Sequence, residues 1–185
     1  MKIISSLVIV LVAVISVTFL PGNCQAASAS VLEQNGKAAL HVLYARYPKA
    51  AAIGKEAKAV LVFPNVVKGG FLVAAHRGDG VLLVNGRAVA YYNLVGGSYG
   101  LQAGVQRSSY AMFFMNDASL NYLKKSGGWE VGTAPSLVVV DSGVAGSLST
   151  TTLNKGIYVF FFNQKGLMGG LGLQGTKITQ YTPSK

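Results

Sequence analysis

Between residues 30 and 47 the apolar positions recur at helical spacing, with Leu32, Gly36, Ala39, Leu40, Leu43 and Tyr47 on one face and Lys37 and His41 opposite. Ser30 suits an N-cap, and Glu33 three residues later completes a capping-box pattern. Pro48 ends this helix because it lacks an N–H and clashes with the preceding turn. A second short helix is expected over 49–58, weakened by Gly54. After Lys58 the period falls to two and β-branched residues dominate. Strands are expected near 60–63, 70–76, 81–84, 88–95, 99–106 and 110–115. Gly78-Asp79-Gly80 and Asn85-Gly86 read as tight hairpin turns between them. A short helix opens at Asn116 or Asp117, turns Leu120 and Leu123 inward, and stops at Gly127. Strands resume near 136–141, 145–151, 156–162, 167–175 and 177–181.

The pattern predicts an α+β chain dominated by strand: a curled antiparallel sheet, barrel- or sandwich-like, with N-terminal helices and one short inserted helix. The run Phe160-Phe161-Phe162 alternates, which places Phe161 on one face and its neighbours on the other. A strand apolar on both faces must be covered on both. Filling a core is the ordinary role of such residues, and lining a lipid cavity with Met112 to Met115 is the functional one.

The first residues have a different character. Lys2 precedes an apolar run from Ile3 to Leu20, which ends at Pro21-Gly22 and is followed by small residues at Ala26, Ala27 and Ala29. This is the pattern of an export signal cleaved after Ala26 or Ala29, leaving one domain over 27–185. An uncleaved anchor is the competing reading. The single cysteine, Cys24, has no partner for an internal disulfide. Lipidation there fits poorly, since Pro21 and Asn23 stand where a leucine-like and a small residue are usual. The expected location is periplasmic or envelope-associated.

Charge narrows the partner. The net charge is +10, from 16 basic and 6 acidic residues. Such an excess favours anionic partners. Export removes access to nucleic acid and leaves an anionic membrane surface. The candidate headgroup contacts are Lys37, Arg46, Lys49, Lys55 and Lys58, on or beside the N-terminal helices. A helix packed on the sheet with a solvated charged side explains the same residues without a ligand.

Catalytic signals are weak. Gly96-Gly97-Ser98-Tyr99-Gly100 satisfies the nucleophile-elbow spacing, but a strand is expected after it where the elbow needs a helix. His76 and Asp79 form at most half a metal site. Arg77-Gly78-Asp79 reads as turn residues rather than an adhesion motif. The glycines of 166–175 lack the Lys and Ser/Thr of a phosphate loop. The chain therefore reads as a binding module, not an enzyme, with no cofactor and no metal.

An ordered set of motifs resembles the SYLF domain family. It comprises Val62-Phe63-Pro64, Gly69-Gly70-Phe71, Gly78-Asp79-Gly80-Val81-Leu82, Tyr91-Tyr92, Gly97-Ser98-Tyr99-Gly100-Leu101-Gln102-Ala103-Gly104, Trp129-Glu130-Val131-Gly132, Thr150 to Lys155, Lys165-Gly166-Leu167-Met168 and Gly175-Thr176-Lys177-Ile178. The resemblance implies a lipid-binding domain. Eukaryotic relatives bind phosphoinositide membranes and in some cases actin, using a basic N-terminal segment, while bacterial relatives are exported envelope proteins. The signal-like start makes this chain look like the bacterial kind, with actin an improbable partner. The alternative is a structural or protein-interaction envelope protein without a lipid ligand.

Overall fold

The computed structural model describes residues 28–125, 129–131, 137–140, 156–166 and 175–184. Helices α1 (Ala29–Arg46) and α2 (Pro48–Glu56) precede two long strands, β1 (Ala59–Val84) and β2 (Arg87–Phe114). Helix α3 (Asp117–Lys125) follows, then β3 (Trp129–Val131), β4 (Leu137–Val140), β5 (Ile157–Gly166) and β6 (Thr176–Tyr181). One sheet contains all six described strands in the order β3-β6-β2-β5-β4, with β1 also paired to β2. The expected α+β class and curled sheet hold.

Asn85-Gly86 is the hairpin turn its sequence predicts. Both residues lie in the left-handed region, with φ 49° and 74°, which gives the twist that suits a two-residue hairpin. Gly78-Asp79-Gly80 is not a turn. It runs straight through β1, opposite Leu94, Asn93 and Tyr92. The expected short strands accordingly merge into β1 and β2, of 26 and 28 residues.

These glycines serve a close approach instead. A Cβ on Gly80 would meet the Phe63 ring and the Val62 carbonyl, and one on Gly78 would lie 2.8 Å from Val66 Cγ2 and 3.1 Å from the Asn65 oxygen. The second arm of β1 thus curls back onto its first arm, and only glycine leaves room where the two meet. Pro64 sits at the register shift between Phe63 and Val66, where a missing N–H is tolerated. Its carbonyl accepts a hydrogen bond of 2.8 Å from the Ser109 hydroxyl.

The sheet buries both faces. Its concave side holds Leu61, Phe63, Leu82, Leu94, Met112, Val159 and Phe161, and α3 closes it with Leu120 and Leu123. Its convex side holds Val62, Val81, Phe113, Phe160 and Phe162 under Leu32, Ala39 and Leu43 of α1 and Ala50 and Ile53 of α2. Phe160, Phe161 and Phe162 alternate between these layers as the sequence predicts.

Three expectations change. The sheet is not wholly antiparallel, because β4 runs parallel to β5 with Leu137 beside Ile157. Ser28, not Ser30, caps α1, without a side-chain cap bond. Glu33 pairs with Lys37 at 2.6 Å rather than closing a capping box. At α3, by contrast, Asn116 Oδ1 accepts the Ser119 N–H at 2.9 Å, a true cap. The strands expected over 145–151 and 167–175 lie largely outside the described residues.

Candidate functional site

All five predicted contact residues are exposed. They do not converge. Lys37 and Arg46 are nine positions apart on α1, roughly half a turn out of phase at about 100° per residue. Lys37 is paired with Glu33, and Lys58 approaches Asp117 at 3.6 Å. Lys49 and Lys55 lie on α2. Arg46, at the end of α1, stands 5.6 Å over the Tyr47 ring. It lines a cleft of about 150 Å³ with Tyr47, Phe162, Asn163 and Gln164, next to the start of the outer end of β5.

The helices cover only part of the convex face. Past them, Val67 lies opposite Arg107, and Arg107 opposite Lys165. In the second arm, Arg77 lies opposite Val95, and Val95 opposite Lys177. Directly opposite residues of antiparallel strands share a face. These six are on the helix-bearing side, since Arg77 alternates with Asp79 and Val81, and Arg107 with Ser109 and Ala111. All six are exposed. The approach of Gly78 to Asn65 and Val66 brings the two rows together. The result is a belt that runs Lys177, Val95, Arg77, Val67, Arg107, Lys165 and meets the Arg46 cleft. Sequence reasoning missed it because the residues come from four strands and only the register assembles them.

The concave side at the same end is polar. His76 Nε2 bonds Thr176 Oγ1 at 2.8 Å, and both residues are buried. Burial, and then the positive charge of Lys68, push the His76 pKa down, so the ring is neutral near pH 7. His76 is thus a mid-strand residue facing inward, where a strand end was expected. Asp79 is bound from the other side, its Oδ1 accepting from Asn93 Nδ2 at 2.7 Å. No group of three or more potential metal ligands occurs among the described residues. Ser98 sits within β2 opposite Ala74, so the backbone around it is strand and not the strand-to-helix turn of a nucleophile elbow. No described helix is long and apolar enough to cross a membrane.

Residues 95–184 match the family described as Ysc84, Las17-binding protein actin regulator. This Ysc84 (SYLF) match covers just under half of the chain and agrees with the resemblance carried by its sequence motifs. No curated protein matches it. The Ysc84 match begins at Val95, inside β2, and β1 pairs with β2 on both sides of that point. The matched segment includes Arg107, Lys165 and Lys177, three of the four cations of the belt. The family is described by what it binds and regulates, which fits a non-catalytic module.

Proposed function

We propose that this protein is a non-catalytic lipid-binding module of the bacterial cell envelope. It is exported by its N-terminal segment and contacts anionic phospholipid through basic side chains. Lys37, Arg46, Lys49, Lys55 and Lys58 are the contacts proposed around the N-terminal helices. The observation that carries the reading is a Ysc84 match on a chain of net charge +10 whose exposed cations outnumber its acids. Each lysine or arginine near an anionic bilayer is worth about 1 kcal/mol, so a few together give useful affinity.

Co-sedimentation with vesicles tests this. Binding is expected to rise with phosphatidylglycerol content and to fall with added salt, because screening shortens the reach of exposed charges. Equal binding to pure phosphatidylcholine vesicles, or none to either, would discard the reading. The family description favours actin as a second partner. An export signal places the chain away from actin, and co-pelleting with filaments decides between the two.

A further inference from the structure

We infer that the bare belt on the convex sheet face, rather than the N-terminal helices, is the principal surface that docks on an anionic phospholipid bilayer. This rests on the lipid-binding reading and assigns it a place.

Three observations support the belt. It is uncovered: Val105, Val73, Val95 and Val67 expose 60%, 55%, 49% and 37% of their surface. Exposed β-branched side chains on a sheet face, rimmed by charge, mark a contact surface. Val105 is opposite Gly69, one row beyond Val67 and Arg107, so it extends the belt toward the sheet's bent end.

It is also cationic. Arg77, Arg107, Lys165 and Lys177 share this face, and neither β1 up to Gly78, nor β2, nor β5 contains an acid. Among the described residues, the acids nearest in the register are Asp79, held by Asn93, and Glu130, at the position opposite Lys177. Both lie at the Lys177 end, so among the described residues the positive charge of the Val67–Arg107–Lys165 end has no acid in register with it. That charge matches a layer of phosphodiester headgroups.

Finally, the spacing suits a plane. Strands lie about 4.8 Å apart, so the cations are spread across neighbouring strands instead of converging on one point. Such a spread meets many headgroups at once, with valines between the charges to enter the interfacial layer. The helix cations, by contrast, point in different directions, and Lys37 and Lys58 already have acidic partners.

Two double variants of the full chain separate the surfaces: Arg107→Glu with Lys165→Glu in the belt, and Lys37→Glu with Lys55→Glu on the helices. All four side chains are exposed, and circular dichroism checks that both variants fold. On phosphatidylglycerol-containing vesicles the belt variant is expected to bind at least about tenfold more weakly than wild type, and the helix variant, which removes secondary contacts, only about threefold more weakly. Val105→Asp should weaken binding alone. A belt variant that binds like wild type while the helix variant fails overturns this inference and leaves the lipid reading standing. No binding by wild type removes both. A wild-type dimer that the belt variant dissociates, with vesicle binding intact, would assign the belt to a second copy and overturn the inference.

Discussion

Burial changes the chemistry of His76. It is buried, its Nε2 bonds Thr176, and Lys68 adds a positive charge beside it. Its pKa is lower in the folded chain than the unfolded value of about 6.5. Between those two values the unfolded state binds more protons, so stability rises with pH. The contribution is complete above about pH 6.5 and is lost as the pH falls toward the folded pKa, with a limiting slope of about 1.4 kcal/mol per pH unit. Urea unfolding measured from about pH 7 down to 5 should show this loss, and His76→Gln should flatten it. An unchanged slope in the variant would assign the acid sensitivity to other groups. Tyr44 shows burial of the other sign, its hydroxyl pushed up to about 12 by desolvation between the helices. A Cβ on Gly54 would strike that hydroxyl, which explains a helix-weakening residue inside α2.

At the scale of elements, glycine decides how the pieces meet. Gly36 of α1 lies so close to Val81 that an added side chain would collide with its Cγ1. Gly36→Val should therefore push the helix off the sheet and cost about 1–3 kcal/mol in urea unfolding. Gly69→Ala is the control: its nearest neighbour would be 3.7 Å away, and a change within about 0.5 kcal/mol is expected. Equal effects of the two would remove the packing explanation. This is also where reading the sequence stops short. The helix face, the Asn85-Gly86 turn and the Phe160–Phe162 alternation are local, and each was legible. Gly78 and Gly80 look in sequence like turn glycines, yet their cause is a strand segment more than ten residues away. The parallel pairing of β4 with β5 has the same source, since nothing local marks strand direction. The belt is invisible for that reason too: Arg77, Arg107, Lys165 and Lys177 become neighbours only through the register.

For the whole molecule, the two long strands unify the chain. Every other described strand except β3 and β4 pairs directly with β2, and β1 follows β2 from Ala59↔Phe114 to Val84↔Arg87. The Ysc84 match starts within this ribbon, so the sheet that presents the belt needs residues on both sides of Val95. The described ends also meet: the Ala29 N–H donates to the Ser184 carbonyl at 3.2 Å. Ends so near one another can be joined by a short glycine-serine linker and the chain reopened elsewhere. A circular permutant opened between Asn85 and Gly86 would keep every strand partner but lose the tight closure of the ribbon. It should refold more slowly than the native order, because the longest pairing would then have to form without its local nucleus.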